Sequence, residues 1–213
     1  MNMLMAFIGG FIGFILKLII NWVDVDDLKI DKSNFFIEII SAILWLWAFH
    51  NLSIEEGIVF SLIASVLVAI GFVDFFTMQI PLILILMGFI ISVSGIFIGT
   101  IYFTASLWGI FVGGVIPLMI MGVTYIFTKR QGMGYGDIQL GIILGAWLGP
   151  MRMALTLFAA SLLSLLTWIA VSLIKEFDKN RAMPLAPFLA IAGIGVYIGS
   201  VYYPGLFHLL IIE

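Results

Sequence analysis

A chain of 213 residues that is 63% hydrophobic and only 10% charged, with a mean hydropathy of +1.26, carries more apolar surface than a soluble domain of its size can hide. Its net charge of −3 and pI near 5.3 leave no basic patch for nucleic acid. The absence of cysteine excludes disulfides and thiolate chemistry.

A membrane helix needs about 20 mostly apolar residues. Taken in chain order, such runs predict spans at 3–23, 35–52, 57–73, 81–103, 107–128, 138–151, 153–174 and 184–203. The expectation is an all-α polytopic transmembrane bundle of about eight spans. It forms a single membrane domain over 1–213 with a short acidic loop at 24–34. The runs do not alternate in polarity, as strands of a membrane barrel would. The first run is too long for a cleavable signal and lacks a basic start. The sixth run is short. Its helix either begins inside the preceding Gly-rich stretch or does not fully cross. Gly109, Gly113 and Gly114 permit close helix contact. Most tryptophans read as interface anchors or packing.

Basic residues orient the bundle. Lys17, Lys29 and Lys32 lie near the end of span 1, Lys129 and Arg130 after span 5, and Lys175, Lys179 and Arg181 after span 7. Only Arg152 falls on the other side, with His50, Glu55 and Glu56. Odd-numbered spans therefore end in the cytoplasm and both termini lie outside.

Carboxylates at membrane depth are expensive and usually functional. Three acids qualify: Glu38 in the first turn of span 2, Asp74 at the cytoplasmic end of span 3, and Asp137 at the start of span 6. The orientation puts Asp74 and Asp137 on one side at similar depth. If spans 3 and 6 pack together, the two carboxyls share a proton, one drawing a proton from water while the other polarises a carbonyl. Gly132, Gly134 and Gly136 allow unusual backbone, and an extended stretch there would expose amides to a substrate strand. Plainer readings stand beside these. Asp137 alone is a helix cap, Asp74 before Pro81 a turn residue, Glu38 an interfacial or first-turn helix residue, and His50 interfacial. Asp24, Asp26, Asp27 and Asp31 either attract a basic peptide or form a solvated loop.

Several blocks in order resemble the prepilin peptidases, or type IV leader peptidases, membrane aspartic proteases of the Gly-x-Gly-Asp type. They are Asp74 with Pro81 seven positions on, Gly132-Met133-Gly134-Tyr135-Gly136-Asp137, Gly145-Ala146-Trp147-Leu148-Gly149, and Pro184-Leu185-Ala186-Pro187-Phe188-Leu189-Ala190. Phe11 to Trp22 and the region of Glu38 match more loosely, so the resemblance covers nearly the whole chain. It implies Asp74 and Asp137 as catalytic pair, with Gly134, Tyr135, Gly136 and Pro81 at the substrate. The implied setting is the cytoplasmic (inner) membrane, with the active site facing the cytoplasm and lipid around the bundle. The implied substrate is a prepilin or pilin-like protein, whose basic leader is cut before an apolar helix. Proteolysis needs no cofactor, and many bacterial members also methylate the new N-terminus with S-adenosylmethionine. This chain lacks the paired cysteines that many members carry in the first cytoplasmic loop, so no metal is expected there. It has Leu82 after the first-block proline, where the family often has Asp, and Gln139, where it often has Lys. An archaeal preflagellin peptidase is a close alternative of the same class. Outside the class stand a small ion-coupled transporter or channel and a silent assembly protein. The lack of an inverted repeat, and acids grouped at one face, speak against transport.

Overall fold

The computed structural model describes residues 2–31, 33–129, 133–174 and 183–208. Among these, every regular element is helical. The chain packs as two compact units, Met1–Thr104 and Ala105–Glu213.

The first unit holds α1 (Asn2–Val23), α2 (Phe36–Asn51), α3 (Ile54–Thr77) and α4 (Leu82–Ile98). Glycine sets the approach of α1 to α2. A Cβ at Gly9 would lie 2.7 Å from Trp45, and one at Gly13 would lie 2.7 Å from the Cα of Glu38. Gly9 meets Trp45, Gly13 meets Glu38, and Lys17 reaches Asn34, so the two helices are antiparallel. Trp45 then donates from Nε1 to Ser65 Oγ at 3.2 Å, and the Phe36 ring packs tilted against Phe72 at 5.7 Å, so α3 runs back beside α2. The end of α1, the start of α2 and the end of α3 therefore share one face of this unit. The core is the central face of α3, with Phe60, Ile63, Ala64 and Ile70 fully buried.

Local chemistry sets the helix ends. Ser53 caps α3 by accepting from Glu56 N, so this helix begins at Ile54 rather than at 57. It closes on Met78 in the left-handed conformation. The span expected to run to 103 ends at Ile98, because Gly99 turns left-handed (φ 87°) and the amides of Thr100 and Ile101 fold back onto Gly95 O.

Inside α1 and α2 lies one charged pair. Lys17, 4% exposed, bonds Glu38 Oε1, donates to Asn34 O at 3.0 Å and lies 5.1 Å from the Phe35 ring centre. Asn21 clamps the following loop to α1, donating to Ile30 O and accepting from Ile30 N at 2.8 Å. Lys32 of that loop lies outside the described residues.

The second unit opens with a rod, α5 (Phe103–Ile110), a π-helical turn (Phe111–Val115) and α6 (Ile116–Thr128). The wide turn sits just before Pro117, whose missing N–H and bulky ring disturb the helix behind it. The rod meets α7 (Tyr135–Ile174) backbone to backbone. A Cβ at Gly109 would collide with the Gly145 carbonyl, and one at Gly113 with that of Gly141. The close contact expected of these glycines is present. Gly114 faces the Ile142 side chain instead.

α7 is not straight. At Gly149, φ 74° and ψ 176° lie where only glycine is at ease, and Pro150 follows. Leu144 and Thr156 would stand ~18 Å apart in a straight helix. Here a Cβ on Gly193 of α8 (Ala186–Tyr202) would touch both, at 2.8 and 3.6 Å. Tyr197 likewise stacks on Trp147 at 5.0 Å and receives Arg152 at 5.4 Å. The chain thus folds back sharply at Gly149, close to the expected boundary between spans 6 and 7. A short α9 (Pro204–His208) follows α8.

Four helical stretches are long and apolar enough to cross a membrane: Met3–Val23, Ile54–Thr77, Phe103–Thr128 and Tyr135–Ile174. Phe36–Asn51, Leu82–Ile98 and Ala186–Tyr202 are apolar but shorter. Outward residues such as Phe7, Phe97 and Phe127, each more than 70% exposed, suit a lipid surround. The described residues are those of an all-helical membrane protein.

Two outcomes follow. Gly149→Ala, forced into a conformation that a Cβ opposes, is expected to cost ~1–3 kcal/mol, read as a lower unfolding temperature in detergent. Lys17→Met, which strands a buried carboxylate, is expected to cost about 3–5 kcal/mol, most of it recovered in Lys17→Met/Glu38→Met. A single variant as stable as wild type would contradict the buried pair.

Candidate active site

Asp74 lies three residues before the end of α3 and is 4% exposed. Helix geometry fixes its backbone, since Asp74 O accepts from Met78 N at 2.9 Å. The turn that follows is held by short local bonds. Thr77 donates from Oγ1 to Val73 O, and Gln79 N donates to Thr77 Oγ1. Pro81 closes this turn as the cap of α4. Phe72, Phe75 and Phe76 form an aromatic cluster about the same helix end.

A longer tie was not visible in sequence. Gln79 donates from Nε2 to Asp26 Oδ2 at 2.6 Å, joining the turn after α3 to the acidic loop after α1. Asp24 and Asp26 both adopt left-handed backbone, which Asp tolerates better than most residues. Asp31 accepts from Ser33 Oγ. Two of the loop's acids, Asp26 and Asp31, both exposed, thus take part in local order.

Asp137 belongs to the second unit, as the third residue of α7. Gly134 precedes the helix, and its N–H donates to Asp137 Oδ2 at 3.2 Å. This is the reciprocal half of a capping box, an acid in the first turn reaching back to the residue at the helix start. The acid also sits where the helix dipole favours its charge.

The glycines here act differently from the sequence expectation. Tyr135, Gly136 and Asp137 are already helical, and neither Gly134 nor Gly136 has positive φ. No extended stretch therefore continues past Gly134. The reason for glycine at 134 is space, because a Cβ there would lie 3.1 Å from Asp137 Oδ2. Tyr135 is exposed at 66%. Gly132 lies outside the described residues.

Glu38, expected as an interfacial or first-turn residue, is in the first turn of α2 and is buried against Lys17. Among the described residues no three His, Asp or Glu side chains gather as metal ligands would.

Comparison with known proteins places these acids in context. A family model described as the type IV leader peptidase family matches residues 61–169, a stretch containing both Asp74 and Asp137. The chain belongs to this family. It is 30% identical over 166 residues to the prepilin leader peptidase/N-methyltransferase of Aeromonas hydrophila, covering 74% of this chain and 55% of that protein. The protein of the same name from Dichelobacter nodosus is 30% identical over 171 residues, at 74% and 56% coverage. That of Pseudomonas putida is 36% identical over 103 residues, at 46% and 36%. The chain thus spans about half the length of such curated relatives. No solved structure matches it.

The start of α7 can be tested directly. Gly134→Ala is expected to crowd Oδ2 and weaken the cap by about 1 kcal/mol. Amide exchange at the first turn of α7 should quicken roughly fivefold, with the rest of α7 unchanged.

Proposed function

We propose that this chain is a membrane aspartic endopeptidase that removes the N-terminal leader of a prepilin or pilin-like protein, with Asp74 and Asp137 as its two acids. The observation that carries this reading is the family match across 61–169, which spans both acids. Each also has the setting the chemistry wants. Asp74 is buried at a fixed helix end, and Asp137 sits at a helix start that favours its charge. The distribution of lysine and arginine supports a cytoplasmic site and a bundle of about eight spans.

The mechanism requires the two carboxyls to share one proton. The ionised member takes a proton from water while the protonated member hydrogen-bonds the scissile carbonyl. Water oxygen bonds to the carbonyl carbon as the protonated member gives its proton to the carbonyl oxygen, giving a tetrahedral diol. The C–N bond then breaks as the leaving nitrogen takes a proton from the acid that gained one, while a diol hydroxyl returns a proton to the acid that lost one. Leader carboxylate and new amine are the products, and the pair is restored. Pro81, Gly134, Tyr135 and Gly136 flank the acids and are assigned to substrate contact.

N-methylation of that amine, named in the relatives, would need S-adenosylmethionine as methyl donor. Two grooves in the described units do not fit it. One is apolar apart from a single paired acid, and the other, by Ser161, Ser164 and Trp168, offers hydroxyls but no carboxylate for a ribose. No step is built on it. A transporter or channel finds no support in the family match.

The test is cleavage of a prepilin in proteoliposomes, followed by mass spectrometry of both fragments. Asp74→Asn and Asp137→Asn should each lower kcat by about 10³-fold or more while folding normally. Either variant cutting at the wild-type rate would end the proposal.

A further inference from the structure

On the outer side of α1 and α2 runs a groove that the proposed chemistry leaves unused. Small residues, Ala6, Gly10 and Ala42, lie low in it, and exposed Phe7, Phe11 and Ile39 stand along it. A Cβ at Gly10 would find nothing nearer than Glu38 O at 3.9 Å, so the groove is open at its middle. Small residues flanked by large ones let another helix approach closely in lipid.

One lining residue does not belong to an apolar seat. Glu38 closes the groove at the end where α2 begins, and it is nine-tenths buried. Its Oε1 is paired with Lys17, but Oε2 is shut from solvent and has no donor. A buried carboxylate oxygen without a donor is costly. The last torsion of a glutamate is soft, so a small turn presents that oxygen to whatever fills the groove. The N-terminal turn of a helix offers what is missing, namely unpaired N–H groups at the positive end of a dipole.

The position of Glu38 fixes which way such a helix would point. Glu38 is two residues past Phe36, which packs against Phe72, itself two residues before Asp74. The acidic end of the groove is thus on the face of the first unit that carries Asp74. A helix seated with its N-terminus at Glu38 would hold the residues preceding it at the level of that acid.

We infer that this groove seats the apolar helix of the leader-bearing substrate, with Glu38 Oε2 accepting from the helix N-terminal turn. This deepens the proposed function and rests on it for the identity of the occupant. The scissile bond precedes the apolar helix in such a substrate. The seat therefore acts as a ruler, placing the bond next to the helix start rather than inside it.

The experiment uses the full chain in phosphatidylethanolamine/phosphatidylglycerol vesicles with a prepilin. A photoreactive phenylalanine analogue replaces Phe7, or Phe97 on α4 as control, in an Asp74→Asn background. Crosslinking from position 7 to the substrate's apolar helix, at least about fivefold above position 97 and competed by unlabelled substrate, is the expected result. Crosslinks to lipid alone, or equal yields at both positions, overturn it. This readout needs no turnover, so it stands apart from failure of the peptidase reading. In the active chain, Gly10→Leu fills the groove without touching α1–α2 packing. It should raise KM about tenfold with kcat within about twofold and an unchanged unfolding temperature. An unchanged KM would equally overturn the seat.

Discussion

The structure depends on helices meeting at glycine. Between helices in lipid there is no hydrophobic drive, since a lipid tail is as apolar as leucine. Close packing must supply the attraction, and close packing needs backbones without side chains between them. Gly13 lets α1 lie on the backbone of Glu38, and Gly109 and Gly113 let the α5–α6 rod lie on Gly145 and Gly141. Each contact is made by a glycine whose Cβ has no room, so the register of the neighbouring helices is fixed as tightly as their distance. Both proposed catalytic acids inherit their positions from such contacts. Asp74 rides on α3, packed against α1 and α2, and Asp137 begins the arm of α7 that carries Gly141 and Gly145.

The same constraint explains where polarity is tolerated. Several hydroxyls bond back to carbonyls of their own helix, as Ser65 does to Ser61 and Thr156 to Arg152, so those hydroxyls ask nothing of lipid. The charged residues Lys17 and Glu38 answer each other. The pair lies where α1 ends and α2 begins, close enough to the membrane edge for the loop to contribute Asn34 O. Desolvation is thereby limited on one side while the carboxylate stays inside the helix pair.

Much of this was legible in sequence because it is local. Hydropathy marks each helix, though it sets the start of α3 three residues late, because Ser53 caps a polar turn with Glu55 and Glu56 that precedes the apolar run. The pair Gly149-Pro150 marks the fold-back in α7, and without it a 40-residue helix would outrun a bilayer. The end of α4 was misjudged because Ile101, Tyr102 and Phe103 are as apolar as the helix before them. Only the left-handed Gly99 stops the helix there. The Gly-x-Gly-Asp segment suggested loose backbone, whereas Gly134 instead clears space for a carboxylate that folds back on it. Interactions between distant residues could not be read. Gln79 and Asp26 are separated by 53 positions, and Glu38 looked interfacial until Lys17, 21 residues earlier, was found beside it.

These long-range ties organise the first loop and the turn after α3. The turn between Asp74 and Pro81 holds the helix end that carries one of the proposed catalytic acids, and Gln79 adds to its short local bonds by binding Asp26. That tie requires the first loop to be short and folded close to the membrane face, which Asn21 ensures by clamping Ile30. The loop is thus organised by the helices it connects, and Asp26 and Asp31 take part in that local order.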